Sequence, residues 1–353
     1  MEISIKKADS FKQKPDEENL GFGTNFTDHM FIMDYEKNKG WYDPRIVPYG
    51  PLEILPSMST FHYGQAVFEG MKAYQGSEGQ ILLFRPEENM KRLNNSNKRM
   101  CIPEIDAEFC LAAIKELVSM EREWVPVAEG TSLYIRPFII ATDSALKLKP
   151  STSYKFIVIL SPVGAYYPQG INPVDIYVET EYVRAAPGGT GFAKTSGNYA
   201  ASMKAQDNAA EKGFVQVLWL DGYERKDVQE VGSMNVFFKI NGEVITPELD
   251  GSILPGITRD SVIELVKSWG LPVIERKITI EEVYQANADG TLEEVFGTGT
   301  AAVISPIGSL SYQGQEIKIN QGKIGELSAK IYDNITDIQT GKKEDLFGWI
   351  NEV

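Results

Sequence analysis

Lys194 lies near the end of a glycine-rich stretch, residues 187–195 with the sequence PGGTGFAKT, and its amine could carry out covalent chemistry. A lysine amine attacks a carbonyl carbon only in its neutral form, or it is already joined to a cofactor as a Schiff base. A stiff backbone turn with aromatic neighbours could desolvate the amine and favour that neutral form. A nucleotide-binding Walker A loop is disfavoured, because it needs glycine at position 193 and the chain has Ala193.

Three other segments carry candidate groups for binding a charged cofactor. Glu230 lies in an otherwise apolar stretch, residues 228–235, and such a carboxylate could pair with a protonated ring nitrogen. Residues 254–260, LPGITRD, place a glycine turn before a predicted helix, whose free N–H groups would attract a phosphate. Residues 297–301, GTGTA, offer backbone N–H groups and two hydroxyls. Each signal is weak alone.

Elements of both kinds must position these groups. Short apolar runs predict strands at 81–84, 132–140, 156–160, 176–183, 215–220, 236–240, 273–278 and 293–296. Helical patterns start at Pro86 and cover 107–123, 198–212, 259–269 and 323–338. This mixed order predicts an α/β fold with α+β character. The segment 161–173, rich in proline, glycine and tyrosine, is predicted to connect a smaller N-terminal domain, 1–160, to a larger C-terminal domain, 174–353.

Composition excludes several classes of protein. The 353 residues include 35 basic and 49 acidic ones, a net charge of −14, which disfavours a nucleic-acid groove. The two histidines are in no metal-ligand pattern, so no metal site is expected. Cys101 and Cys110 form no redox or zinc pattern, and both are predicted to be small core residues. The first 20 residues lack an apolar core like that of a signal peptide and no apolar run could span a bilayer, so a cytoplasmic protein is expected.

The motifs together resemble one family. GFAKTSGNY around Lys194, QEVGSMN around Glu230, LPGITRD and VFGTGTAA occur in the order typical of fold-type IV pyridoxal-phosphate enzymes. FGTNFTDHM from Phe22, FHYGQAVFEGMKAY from Phe61, LFRPEENMKRLNNS from Leu83 and YIRPFI from Tyr134 are similar to branched-chain amino-acid aminotransferases. The resemblance runs from Phe22 to nearly the end of the chain and implies that family's two-domain architecture, with the cofactor at the domain interface.

The resemblance implies the cofactor pyridoxal 5′-phosphate and a role for each matching residue. Lys194 would hold the cofactor as a Schiff base and act as the catalytic base and acid. Glu230 would pair with the ring nitrogen, and Tyr199 would donate to the ring hydroxyl. The phosphate would be bound by Arg85, Ile257, Thr258 and Thr300, with Ser233 as a further cofactor contact.

The family pattern also implies a substrate pocket. Its walls would be Phe22, Tyr63, Phe68, Tyr134 and Tyr166, with Tyr63 contributed across a homodimer interface. Backbone N–H groups of Thr300 and Ala301 would bind the α-carboxylate of the substrate. Tyr134 and Arg136 would bind the distal carboxylate of glutamate, while the aromatic walls suit a leucine, isoleucine or valine side chain.

The implied reaction moves the amino group of L-leucine, L-isoleucine or L-valine to 2-oxoglutarate, reversibly. Three alternatives remain open at this point: a D-amino-acid transaminase, an aminodeoxychorismate lyase, and a protein that binds the cofactor without turnover. The first two share the lysine and the glutamate but do not share the FTDHM and YIRP signatures. Small-molecule amino and oxo acids are the expected partners, with no nucleic acid and no membrane.

Overall fold

The structure is a computed structural model that describes residues 1–164 and 171–353. The described chain separates into two compact units. The first contains residues up to 164, Ala193–Ser196 and Asp337–Val353, and the second contains residues 171–192 and Gly197–Thr336. No helix among these described ranges is long and apolar enough to cross a membrane.

The first unit is built on a largely antiparallel sheet that carries helices. Its strands up to residue 164 are β1 Ser4–Ile5, β2 His29–Glu36, β3 Gly40–Pro48, β4 Ala66–Phe68, β5 Met71–Gln75, β6 Ile81–Phe84, β7 Ser132–Ala141 and β8 Ser153–Val163. Its helices are α1 Ser59–Tyr63, α2 Pro86–Arg99 and α3 Ala107–Met120. The strands run in the order β1-β3-β2-β8-β7-β5-β6, and β4 pairs with β7.

Apolar side chains of α2, α3 and one sheet face form the core of this unit. Leu93 of α2, Ile114 of α3 and Ile135 of β7 are fully buried in one cluster. Because side chains alternate along a strand, Tyr134 and Arg136 point to the sheet face opposite Ile135. Tyr134 and Arg136 are both residues of the predicted substrate pocket.

The strands of the second unit are β9 Val174–Val178, β10 Gln216–Leu220, β11 Val228–Val231, β12 Met234–Ile240, β13 Glu243–Thr246, β14 Val273–Glu275, β15 Leu292–Gly299, β16 Val303–Tyr312 and β17 Gln315–Lys318. Its helices are α5 Ile257–Ser268, α6 Ile280–Ala288 and most of both α4 Ser196–Glu211 and α7 Glu326–Gln339. Its strands run in the order β11-β10-β9-β16-β15-β12-β13-β14. Since β11 also pairs with β12, six strands close into a ring around a buried apolar cluster.

The unit boundaries differ from the predicted domains 1–160 and 174–353. The strand β18, Ile350–Glu352, pairs antiparallel with β6 and so extends the sheet of the first unit. Thr195 forms a bridge with Val67, and its hydroxyl donates to the carbonyl of Ala66 at 2.8 Å. Short segments from the second half of the sequence therefore belong to the first unit, which composition alone did not predict.

Most predicted elements are present, with shifted ends. The predicted strand 176–183 ends at Val178, because Glu179 turns the chain by accepting N–H groups of Glu181 at 2.6 Å and Tyr182 at 3.1 Å. Cys110 is fully buried, as its stripe predicts. Cys101 was predicted to be a core residue and is exposed, because it follows α2 in a turn with a positive φ of 55°.

Candidate active site

Lys194 is held on the first unit by hydrogen bonds of its own backbone. Its N–H donates to Ser96 Oγ at 2.8 Å, and its carbonyl accepts the N–H of Phe68 at 3.0 Å. The bridge between Thr195 and Val67 continues this contact for one more residue. The Lys194 side chain therefore starts from a fixed backbone position next to β4.

A cluster of aromatic and cationic groups surrounds the ring of Phe68. The Lys194 Nζ lies 4.7 Å from the centre of this ring, and the Arg136 guanidinium carbon lies 4.8 Å from it. Arg136 Nη2 also donates to the Tyr134 hydroxyl at 3.1 Å, and the ring of Phe22 meets that of Tyr134 edge-on at 5.1 Å. The first unit therefore brings five of the predicted residues into one cluster: Phe22, Phe68, Tyr134, Arg136 and Lys194.

Arg136 has hydrogen-bonding capacity that the described residues do not use. Its Nε is buried and has no hydrogen-bond partner among them. A buried donor without a partner is costly, unless a ligand completes it. A carboxylate is the group that a guanidinium binds best.

Gly70 makes room for the Tyr134 hydroxyl. A Cβ at this position would lie 2.0 Å from that oxygen and 2.9 Å from ring carbon Cζ. Tyr134 is only 8% exposed, so its ring has little space to retreat. Glycine at position 70 is therefore a packing requirement of the cluster.

Glu69, between Phe68 and Gly70, is a buried carboxylate that the sequence analysis did not predict. Glu69 is completely buried and accepts Arg92 Nε at 2.8 Å, Arg92 Nη2 at 2.9 Å and Asn89 Nδ2 at 2.7 Å. Burial raises the pKa of Glu69, but Arg92, Lys194 and Asn89 together outweigh it and leave the pKa below its ordinary value. The ion pair anchors the corner that follows Phe68 onto α2.

Lys72 is a second unpredicted group on the same sheet face. It is the cross-strand neighbour of Tyr134 and is only 7% exposed. Burial lowers the pKa of the Lys72 ammonium to about 8. The charged form is therefore less favoured here than in water.

Arg85 precedes α2 in a left-handed backbone conformation, with φ 48° and ψ 44°. Its N–H donates to the carbonyl of Trp349 at 2.7 Å, and its guanidinium lies 5.6 Å from the centre of the Trp349 ring. Pro86 follows at the first helical position, where its lack of an N–H does no harm.

In the second unit Glu230 lies on β11 and is 2% exposed. One carboxylate oxygen accepts the N–H of Leu254 at 2.8 Å, and the other pairs with Arg184 Nε at 2.6 Å. Arg184 also donates to the carbonyl of Ser252 at 2.9 Å. These donors stabilise the negative charge of Glu230 in a buried place, which pairing with a protonated ring nitrogen requires.

The start of α5 lies within LPGITRD, the segment for which the sequence predicts a phosphate site. Gly256 is the N-cap and supplies no side-chain cap, so the N–H groups of the first turn, from Ile257 and Thr258 onward, lack intrahelical partners. A Cβ on Gly256 would lie 2.0 Å from Asn235 Oδ1. The same Asn235 amide donates to Glu230 at 3.4 Å and to the carbonyl of Leu254 at 2.9 Å, so it links the helix start to the carboxylate.

Tyr199 and Ser233 line one recess of the second unit. Its other lining residues are Arg184, Asn198, Ser202 and Gly232. Tyr199 lies in the first turn of α4, whose Asn198 exchanges hydrogen bonds with Thr190 at 2.7 and 2.8 Å. Thr300 and Ala301 form the turn between β15 and β16.

Tyr63, another predicted pocket residue, is not part of the cluster around Phe68. Tyr63 is 39% exposed at the end of α1, and its hydroxyl donates to the carbonyl of Leu146 at 2.8 Å. Tyr166 lies outside the described residues.

Comparison with known proteins gives a consistent result. The family described as amino-transferase class IV matches residues 66–310. Branched-chain-amino-acid aminotransferase 2 of Bacillus subtilis is 61% identical over 351 residues, which cover 99% of this chain and 97% of that protein. Branched-chain-amino-acid transaminase 1 of the same organism is 58% identical over 352 residues, which cover 99% of each chain.

Solved structures resemble the fold over nearly its whole length. The crystal structure of the Escherichia coli branched-chain amino acid aminotransferase has a TM-score of 0.76 at 28% identity, covering 92% of this chain and 98% of that one. The branched-chain aminotransferase of the archaeon Thermoproteus uzoniensis, solved with norvaline, has a TM-score of 0.76 at 27% identity, covering 92% of this chain and 99% of that one. These similarities confirm the predicted α/β fold and its resemblance to fold-type IV enzymes.

Proposed function

Because the chain belongs to the class IV aminotransferase family, we propose that it is a branched-chain amino-acid aminotransferase. It would move the amino group of L-leucine, L-isoleucine or L-valine to 2-oxoglutarate, giving the branched-chain 2-oxo acid and L-glutamate, reversibly. The identity of 61% to a relative of that name over nearly the whole chain carries this proposal.

The donors of the second unit fit pyridoxal 5′-phosphate as the cofactor. The uncapped start of α5 suits a phosphate, and the buried carboxylate of Glu230 suits a protonated ring nitrogen. When bound, this cofactor supplies an electron sink for the charge that develops at the substrate Cα. The phosphate would be bound by Arg85, Ile257, Thr258 and Thr300. Tyr199 and Ser233 would contact the rest of the cofactor.

Lys194 would hold the cofactor and also move the proton at the substrate Cα. Its backbone bonds to Ser96 and Phe68 fix the point from which the side chain leaves, and this reduces the conformational entropy that is lost when the amine is positioned as a base. The N–H groups of Thr300 and Ala301 would bind the α-carboxylate of the substrate.

The cluster around Phe68 explains how one pocket would accept two kinds of substrate. Phe22, Phe68 and Tyr134, with Tyr166, would bury the apolar side chain of a branched-chain substrate. Arg136 and the Tyr134 hydroxyl, already hydrogen-bonded at 3.1 Å, would bind the distal carboxylate of glutamate.

We further propose a cytoplasmic homodimer. The Tyr63 hydroxyl donates to the carbonyl of Leu146, and the two segments that carry these residues have four exposed apolar side chains: Phe61, Tyr63, Leu146 and Leu148. An exposed apolar surface of this kind favours burial against a second copy of the chain. In that homodimer, Tyr63 of one copy would contribute to the substrate pocket of the other. Cys101 and Cys110 form no disulfide, which suits a reducing compartment.

The test is a half-reaction followed by the absorbance of the cofactor. The protein, loaded with pyridoxal phosphate, receives L-leucine, L-glutamate or D-alanine separately. We expect a spectral change with both L-substrates and none with D-alanine. Lys194→Ala should abolish turnover, while Lys204→Ala, an exposed lysine on α4, should not.

A response to D-alanine alone would indicate a D-amino-acid transaminase instead. A loaded protein that responds to no amino acid would indicate a lyase or a protein that binds the cofactor without turnover. An active, coloured Lys194→Ala variant would contradict the role of this lysine.

A further inference from the structure

Arg85 has a backbone conformation that needs support from elsewhere in the chain. Its φ of 48° and ψ of 44° lie in the left-handed region, which residues with a side chain rarely adopt. The proline that follows also disfavours helical conformations at this position. Such a residue persists only where its surroundings fix it, and such positions are common at ligand sites.

The segment 345–352 provides that support. The carbonyl of Trp349 accepts the Arg85 N–H at 2.7 Å, and the next residue, Ile350, pairs with Phe84 in β6. The carboxylate of Asp345 accepts the N–H of Ile350 at 2.7 Å and that of Phe347 at 3.1 Å. The turn that presents Trp349 is therefore fixed from both sides.

The indole of Trp349 also contacts the arginine side chain. The guanidinium carbon lies 5.6 Å from the ring centre, within the range of a cation–π contact. The ring is 4% exposed and stacks on Phe347 with centroids 4.2 Å apart, and Phe84 meets it edge-on at 5.5 Å. A ring held in this way limits the directions that the guanidinium can take.

We propose that Trp349 is a positioning residue that orients Arg85 for the phosphate of the cofactor. An aromatic ring attracts the face of a guanidinium, whereas a phosphate binds the N–H groups in its plane, so the two contacts are compatible. The inference rests on the proposed function, in which Arg85 binds the phosphate. It adds a residue more than 260 positions away in the sequence to the construction of that site.

Cofactor affinity tests the inference without measuring turnover. Dissociation constants of the apoprotein are measured by equilibrium dialysis for pyridoxal phosphate and for pyridoxal, which lacks the phosphate. The variants are Trp349→Leu, Trp349→Phe, Arg85→Leu and the double variant with leucine at both positions. Trp41→Leu is the matched control, because its ring meets Tyr35 in the same unit.

We expect Trp349→Leu to weaken pyridoxal phosphate binding by about threefold to thirtyfold, the range of a cation–π contact. Pyridoxal binding and the Trp41→Leu control should stay unchanged. Trp349→Phe should show a smaller selective loss, because phenylalanine binds cations less strongly than tryptophan. The Trp349→Phe variant alone still tests the inference if Trp349→Leu fails to fold.

The remaining outcomes separate the inference from the proposed function. Two results would mean that Trp349 only stabilises the fold, and either would overturn the inference. The first is that Trp349→Leu lowers the affinity for pyridoxal and for pyridoxal phosphate equally. The second is that Trp349→Leu lowers the affinity for pyridoxal phosphate as much in the Arg85→Leu background as in the natural chain. A loss in Arg85→Leu without one in either Trp349 variant would overturn the inference alone. Unchanged affinity in Arg85→Leu would refute the phosphate role of Arg85 and the inference with it.

Discussion

Replacing Gly70 with alanine would place a methyl carbon 2.0 Å from the Tyr134 hydroxyl oxygen, far inside van der Waals contact. The phenol would have to retreat by more than about 1 Å to reach an ordinary contact distance. The ring of Phe22, 5.1 Å away, and the hydrogen bond from Arg136 leave it little room. Overpacking of a buried site costs about 1–3 kcal/mol, and loss of the hydrogen bond adds about 1 kcal/mol.

Denaturation of the cofactor-free protein by urea, followed by fluorescence, measures this cost. We expect Gly70→Ala to lower the free energy of unfolding by about 2–4 kcal/mol. Gly50→Ala is the matched control, because the nearest atom to its new methyl would be the Pro48 carbonyl oxygen at 4.0 Å. This control should change the free energy of unfolding by no more than about 0.5 kcal/mol.

A double-mutant cycle identifies the cause. Tyr134→Phe removes the oxygen that the new methyl would meet, although ring carbon Cζ, 2.9 Å away, still requires a small shift. Gly70→Ala should therefore cost about 1 kcal/mol less in the Tyr134→Phe background than in the natural chain. An equal cost in both backgrounds, or one no larger than that of Gly50→Ala, would refute the reasoning.

Two further predictions concern charge. Arg136→Leu should lower kcat/KM for glutamate by roughly tenfold to a hundredfold, because charged hydrogen bonds contribute about 1.5–3 kcal/mol. The value of kcat/KM for leucine should stay within about threefold of that of the natural chain. Steady-state kinetics with both substrates checks this, and equal losses for the two would contradict the prediction. Partial burial raises the pKa of Asp221, but four backbone N–H donors outweigh it and lower the pKa to about 2. The stabilisation is present above the ordinary pKa of 3.8 and is lost as pH falls towards 2. Asp221→Asn should therefore lower the free energy of unfolding at neutral pH by only about 1 kcal/mol, because this carboxylate is largely solvated. The variant should also lose less stability than the natural chain between pH 4 and 2 in an acid titration, and an equal loss in both proteins would contradict the prediction.

Local signals predicted backbone features that lie on contiguous sequence. The glycine turn before α5 indicated free N–H groups, and the structure has an uncapped helix start there. The apolar run 132–140 predicted the strand β7, whose alternation separates Tyr134 and Arg136 from the core residue Ile135, whereas the sequence assigned these two residues to a pocket only through the family resemblance. In each case the backbone period within one element determines where the side chain points.

The supporting groups were not predictable in this way. Glu69 and its partner Arg92 are 23 residues apart, and no periodic pattern connects a strand corner with the middle of a helix. Lys72 interrupts an apolar strand, and such a lysine ordinarily indicates a solvent-facing position. Their burial results from tertiary packing, which overrides local preference.

The strand β18 has a consequence for the order in which the protein can fold during synthesis. Residues 337–353 leave the ribosome after all of residues 171–336, yet they complete the sheet of the first unit. Until they emerge, β6 is an edge strand with unpaired backbone groups, and Arg85 lacks the carbonyl that accepts its N–H. The second unit is therefore fully synthesised before the first can close, so the unit that is translated first is the last to be finished.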